Sequence, residues 1–400
     1  MEEILHLHQK QISMSIKIIQ PFIHPIKELS ESGKLGGVLL ILATIVSITL
    51  TNSSFQESYL HFWHYEIGCS ILSMHLEHWV NDLLMAVFFF LVGLEIKREL
   101  VTGELSSISK VLMPLLAAIG GMLFPALIFF VFNNGTENLS GWAIPTATDI
   151  AFSLGILSLL GNRVPLSLKV FLTALAIIDD LGGILIIAIF YTNEIHYNYL
   201  LLSAAVMFVL LLLNKFKANN FIFYFVPILF LWFFIYKSGV HATIAGVLSA
   251  FFIPIEKVEK YEHVLHKPVN YFILPIFALA NTTIVLSAQS FPDLFSGLGI
   301  GIILALFIGK AFGISTFVFI SIKTKLCVLQ ENTSMKHIFG ISLLAGIGFT
   351  MSLFFTALSF KNPESANVAR LAIIIGSTLS AIFGLIYLSL SLDKQTIVNS

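Results

Sequence analysis

The chain has 400 residues, of which 57% are hydrophobic and 11% charged, with a mean hydropathy of +0.91. A soluble domain carries roughly 25% charged residues, so the composition excludes an ordinary globular enzyme core and points to a polytopic membrane protein. A formal net charge of −1 argues against a nucleic-acid partner, and the distant Cys69 and Cys327 fit neither a disulfide framework nor a metal-ligand spacing.

Residues 1–33 read as a cytoplasmic tail, because acidic residues come early and no apolar core of a cleaved signal follows. Apolar runs of about 20 residues cross a bilayer. Twelve are predicted, at 34–51, 79–99, 111–132, 141–160, 166–191, 199–214, 221–236, 239–254, 269–287, 297–320, 337–360 and 368–391. Continuous runs rather than alternation make them helices. They give an all-α membrane protein with one transporter domain over 34–391 and a short cytoplasmic tail at 392–400. With the N-terminus inside, 18 of the 22 Lys and Arg face the cytoplasm. Lys237, Lys361 and Arg370 fall outside and Lys310 lies within a span, an asymmetry that supports both the orientation and the even number of spans. The 52–78 connection is the longest outer loop. Its aromatic-rich stretch 62-FWHYEIGCSI-71 fits either a short β-hairpin or an irregular loop packed on the helix ends.

Four ionisable groups fall near the bilayer midplane: Asp149 in 141–160, Asp179 and Asp180 in 166–191, and Lys310 in 297–320. Each costs roughly 2.5–3.5 kcal/mol on insertion scales, and together they cost on the order of 10 kcal/mol before pairing. Structural pairing needs one aspartate for one lysine, not three. Neighbours on a helix point about 100° apart, so one of Asp179 and Asp180 can face a water-filled cavity while the other turns towards another helix. Two carboxylates this close do not both ionise cheaply, which makes one a proton carrier. When ionised, the same oxygens suit a hard cation such as Na+ or Li+. A site that holds either protons or a cation is the minimum apparatus of an antiporter.

Two spans carry helix interruptions. In 141-GWAIPTATDIAFSLG-155, Pro145 removes an intrahelical bond and Thr146 and Thr148 can satisfy freed backbone groups. In 345-AGIGFTMSL-353, Gly346 and Gly348 weaken the helix. Broken helices in corresponding positions point to a midplane site built from inverted repeats, here spans 3–5 and 10–12. At their crossing Asp149 would offset converging positive helix ends and Lys310 the negative ones.

The chain resembles the NhaA family of sodium/proton antiporters, a family built from inverted-topology repeats. The resemblance rests on 81-NDLLMAVFFFLVGLEIKREL-100, 142-WAIPTATDIAFSLG-155, 175-LAIIDDLGG-183, 238-SGVHATIAGV-247, 261-YEHVLHKP-268, 309-GK-310 and 346-GIGFTMS-352. It implies twelve helices in a bacterial inner membrane, with no cofactor and with homodimer contacts through the 52–78 loop. It also implies exchange of cytoplasmic Na+ or Li+ for external protons, pH-regulated and electrogenic. Carried over residue by residue, Asp179 and Asp180 are the cation and proton site, with Thr148 close by. Asp149 and Lys310 compensate charge at the crossing, although Lys310 can instead pair with Asp179 and release its own proton. A cytoplasmic pH-sensing cluster falls on Glu95, Arg98, Glu99, Glu262, His263 and His266, and His241 is another position linked to pH response. The chain departs from the family at Ala311, where a proline is usual and whose absence can loosen the span, and at 281-NTT-283.

Plainer roles stand beside these. Glu95, Lys97, Arg98 and Glu99 sit where charged helix ends are usually interfacial anchors. His263 and His266, one turn apart, also suit an incidental metal pair. His241 follows Gly239 at a helix start, where a structural histidine is the default. Asp82 is expected to cap its helix near the outer surface rather than to line an outer funnel. An intramembrane aspartyl protease needs aspartates on two helices, one in a Gly-x-Gly-Asp context, and that motif is absent. A Na+-coupled symporter of an organic solute is the alternative transporter. It calls for a roomier polar cavity than spans rich in Leu, Ile and Phe provide.

Overall fold

The computed structural model describes residues 34–70, 72–192, 194–218, 220–329 and 333–392. The expected tail over 1–33, and all of the expected 392–400 tail except Leu392, lie outside them. In chain order the main helices are α1 (Lys34–Thr51), α2 (Gln56–Trp63), α3 (Leu76–Val101), α4 (Ile108–Asn133), α5 (Ile150–Leu157), α6 (Leu166–Phe190), α7 (Tyr197–Lys215) and α8 (Ile222–Ser238). They continue with α9 (Ile244–Phe251), α10 (Ile255–Pro268), α11 (Leu274–Asn281), α12 (Gly297–Lys323), α13 (Met335–Ala345), α14 (Phe349–Ser359) and α15 (Pro363–Ser391). A ten-residue 3₁₀ segment, Glu137–Thr146, precedes α5.

Among the described residues, six helices are long and apolar enough to cross a membrane, and nine if each bent pair is one span. The helical segments follow the predicted runs, but some runs are helical over only part of their length. The run 239–254 is helical only over Ile244–Phe251, because Gly239 takes a left-handed backbone (φ 87°) that ends α8. Lys97 of α3 closes the far end of α9 by donating to the carbonyls of Phe251 (2.7 Å) and Ile253 (2.5 Å). It thereby satisfies carbonyls that a helix end leaves open. This lysine is a cap rather than a loose interfacial anchor.

The 52–78 connection contains α2 and an antiparallel hairpin, β1 (Glu66–Cys69) with β2 (Leu72–His75), in the register Glu66↔His75 to Cys69↔Leu72. The indole of Trp79 donates to the Ile67 carbonyl at 2.9 Å and ties the hairpin to the start of α3.

Two features position the buried charges. α4 and α12 cross with their backbones in contact. A Cβ on Gly313 would lie 2.2 Å from the Gly120 carbonyl oxygen, and one on Gly120 would lie 2.3 Å from the Gly313 carbonyl oxygen. Only glycine permits this approach. Within α12, a π turn at Ala305–Gly309 comes immediately before Lys310. Its extra residue re-aims the side chains that follow. The span is thus loosened ahead of the lysine, while Ala311 after it is buried and helical.

Candidate functional site

Both interrupted spans break where the sequence places them. The 3₁₀ segment and the helix beginning at α5 meet at a 44° bend, and α13 and α14 at 46°. Each break frees backbone groups that the other span satisfies. The Asp149 amide donates to the Ile347 carbonyl at 2.7 Å. Ser153 of α5 donates to the Leu344 carbonyl at 3.0 Å, and Ser352 of α14 donates to the Ile144 carbonyl at 2.7 Å. Open helix ends in a membrane interior need such partners.

Asp149 serves two helix starts. As N-cap of α5 its Oδ1 accepts from the Phe152 amide at 2.9 Å. Its Oδ2 accepts from the Thr350 amide at 3.1 Å and the Thr350 hydroxyl at 2.5 Å, in the first turn of α14. A carboxylate fits this position because both N-termini present amide donors and positive partial charge.

Lys310 reaches the crossing from α12 and donates to Asp179 Oδ2 at 2.5 Å and to Thr148 Oγ1 at 2.9 Å. Lys310 and Asp179 are both fully buried side chains. The Thr148 hydroxyl lies 2.7 Å from the same Asp179 oxygen and 2.8 Å from the Ala345 carbonyl. It accepts from the ammonium and offers its own proton to one of these two. Lys310 is thus paired with Asp179 at the crossing.

Asp180 differs from its neighbour. It is buried, and its Oδ1, like that of Asp179, has no hydrogen-bond partner. It lines a cavity of about 450 Å3 together with Glu95, Asp149, Lys169, His266 and Thr350. The two carboxylates therefore diverge, one towards a lysine and the other into a cavity.

At the mouth of that cavity His266 Nε2 lies 3.2 Å from Glu95 Oε1. The Glu95 contact holds the imidazole above its ordinary range, against the opposing effect of burial. Arg98 bridges Glu262 (2.9 Å) and Glu99 (2.7 Å). Burial raises the Glu262 carboxyl, and the Arg98 charge opposes that. His263 is exposed and takes part in none of these pairs. Among the described residues no group of three or more His, Cys, Asp or Glu could hold a metal ion.

A second cavity, of about 1380 Å3, is lined by Glu77, Asp82, Tyr191, His241, Ser359 and Arg370 among others. Asp82 does not cap its helix. α3 already begins at Leu76, which places Asp82 in a π turn (Val80–Leu84) one turn further in. Its carboxylate lies 3.4 Å from His241 Nε2, so it lines this cavity instead. His241 also meets the Thr243 hydroxyl at 2.9 Å and the edge of Phe354. It stands apart from the Glu95–His266 group.

The residues singled out from the sequence thus fall into three places. Thr148, Asp149, Asp179, Asp180 and Lys310 meet at the crossing. Glu95, Arg98, Glu99, Glu262 and His266 gather at the smaller cavity's mouth, and His241 lies at the larger cavity. Thr350 was not singled out. The signal available for it was its position two residues after Gly348, where a second helix start needs an anionic cap.

A helical membrane protein with two broken helices crossing at a buried lysine–aspartate pair, beside a second aspartate open to a cavity, is an ion transporter by construction. The chain belongs to the family described as Na+/H+ antiporter 1, whose model matches residues 27–388. It is 47% identical to a Na(+)/H(+) antiporter NhaA of Flavobacterium psychrophilum over 380 residues, 94% of this chain and 98% of the relative. Identity is also 47% to the proteins of that name from Aliivibrio salmonicida (92% and 98% covered) and Cytophaga hutchinsonii (92% and 96%).

Proposed function

We propose that the protein exchanges cytoplasmic Na+ or Li+ for external protons by alternating access, with both ions competing for Asp179 and Asp180. The observation that carries this is the divergence of the two carboxylates. Asp180 lines a cavity and no lysine holds it, while Asp179 is held through Oδ2 by Lys310 and Thr148. A hard cation entering that cavity finds carboxylate and hydroxyl oxygens at its end. Its arrival at Asp179 displaces the ammonium, and protonation of the carboxylates displaces the cation in turn. Trading two protons for one Na+ makes each cycle electrogenic.

In the proposed topology twelve spans run through one transporter domain over 34–391, with both termini cytoplasmic in a bacterial inner membrane. Spans 3–5 and 10–12 form the inverted repeats. The reciprocal bonds from Ser153 to Leu344 and from Ser352 to Ile144 support this pairing of the broken helices. The smaller cavity is then cytoplasmic and the larger one external, so the structure corresponds to an inward-facing state. Glu95 and His266 at the inner mouth respond to pH, with Arg98, Glu99 and Glu262 behind them, and His241 responds on the other side. The 52–78 hairpin supplies the homodimer contact. The inner cavity's largely apolar wall does not favour an organic solute.

The test is collapse of a pH gradient on Na+ or Li+ addition, in proteoliposomes of the purified protein between pH 6 and 9. Collapse that is absent with K+ and lost in Asp180→Asn is the expected result. No response at any pH would overturn the assignment and favour Na+-driven uptake of an organic anion.

A further inference from the structure

The floor of the larger cavity carries a hydrogen-bonded clasp that ion binding does not use. Tyr191 follows α6 directly, and its hydroxyl donates to the Ser140 carbonyl at 2.8 Å while lying 3.0 Å from the Ser359 hydroxyl. Ser140 Oγ in turn donates to the Ser359 carbonyl at 3.2 Å. Three elements meet here at one end: α6, the 3₁₀ segment and α14. They are the elements that carry Asp179 and Asp180, lead into Thr148 and Asp149, and carry Thr350. Trp142 packs edge-on against Phe190 at 5.2 Å, and Tyr191 against Phe355 at 6.0 Å.

Beneath the clasp the path is shut by packing. Phe355 is fully buried and its ring lies over Gly183, one turn of α6 from Asp180. Tyr191 lies eleven residues beyond Asp180, about 16 Å along the helix axis. The larger cavity reaches Tyr191 and Ser359 but not Asp179 or Asp180, whereas the smaller cavity reaches Asp180. The seal between the larger cavity and the charged crossing therefore includes the Phe355 ring, with the bonds of the Tyr191 hydroxyl at its rim.

We infer that the Tyr191 hydroxyl is an outer latch. It holds the external ends of the three site-bearing elements together while the site faces inwards, and it must release Ser140 and Ser359 before the site opens outwards. The inference rests on the alternating-access reading above, and it adds a positioning residue that touches no transported ion. Tyr191→Phe keeps the ring that seals the path and removes the atom that clasps the rim. Loss of a partly buried neutral hydrogen bond from one state only shifts the outward-to-inward ratio by about three- to ten-fold.

The experiment measures labelling by a membrane-impermeant maleimide in vesicles of both orientations, in a Cys69→Ser, Cys327→Ala background. Thr356→Cys, buried on α14 below Ser359, reports outward opening. Gly155→Cys, which lines the smaller cavity, reports the inner side. Adding Tyr191→Phe is expected to speed external labelling at position 356 by about three- to ten-fold while labelling at 155 stays level or falls. Ser359→Ala, which leaves the tyrosine intact, is expected to move it the same way by a smaller factor. Unchanged labelling at 356 overturns the latch, and so does faster labelling at both positions, which signals general loosening. Na+-dependent exchange is measured in the same vesicles without Tyr191→Phe, so a failure of the transport assignment registers separately from a failure of the latch.

Discussion

Replacing Thr350 by valine isolates the link between the two broken helices. The substitution removes the hydroxyl that meets Asp149 Oδ2 at 2.5 Å and leaves the Thr350 amide bond to the same oxygen in place. A hydrogen bond to a charged group is worth about 1.5–3 kcal/mol, against about 0.5–1.5 kcal/mol for a neutral one. In Asp149→Asn the single amide oxygen serves either the Phe152 or the Thr350 donors, so Thr350→Val then costs only about 0.5–1 kcal/mol. The expected coupling between the two positions is thus about 1–2 kcal/mol, large enough for a double-mutant cycle. The assay is thermal or denaturant unfolding of the four purified proteins in detergent, read as the surviving monodisperse fraction. If Thr350→Val costs the same within about 0.5 kcal/mol in both backgrounds, the carboxylate does not hold the second helix start as an ion. The account of Asp149 as a shared cap would then fail.

Asp179→Asn and Asp180→Asn are each expected to abolish Na+-driven proton movement while the protein still inserts and purifies normally; normal exchange by either variant would remove that residue from the site. Lys310→Arg should retain partial exchange with a displaced pH profile, since guanidinium can pair with Asp179 but does not release a proton in this range. An unchanged profile measured across pH 6 to 9 would argue against a titrating lysine. Gly313→Ala should lower the unfolding temperature, because a methyl group there meets a backbone oxygen and overpacking costs about 1–3 kcal/mol; a wild-type melting curve would contradict the close crossing. His266 is raised in the folded protein, so its contact with Glu95 is fully present below the ordinary imidazole value of 6.5 and is lost as pH rises through the raised one. His266→Gln should therefore flatten the pH dependence of exchange on the alkaline side of that value, and a profile unchanged from wild type would exclude the contact as a sensor.

The charged crossing was legible because charges in apolar runs are costly, and Asp149, Asp179, Asp180 and Lys310 are the only such groups at that depth in their spans. The breaks were legible at Pro145 and at Gly346–Gly348, residue types that interrupt helices. The partner of Lys310 was not, since a lysine on a flexible stem reaches either a carboxylate or helix carbonyls, and only the π turn before it fixes its aim. Thr350 escaped notice because hydroxyls in apolar helices usually bond back to their own backbone, as Thr356 does to Ser352. Asp82 was misplaced because the start of α3 extends beyond the apolar run that marked it. Hydropathy also overstated the 239–254 run, since it registers burial and cannot separate a full span from the eight helical residues of α9.

The glycine contact between α4 and α12 also limits how this protein can move. With backbone against backbone at Gly120 and Gly313, neither helix can roll or slide without carrying the other, so the two behave as one lever. Lys310 is fixed to that lever, whereas Asp179 belongs to α6. Any stroke that separates the ammonium from its carboxylate is therefore a displacement of a whole two-helix arm, with the side chain as its tip.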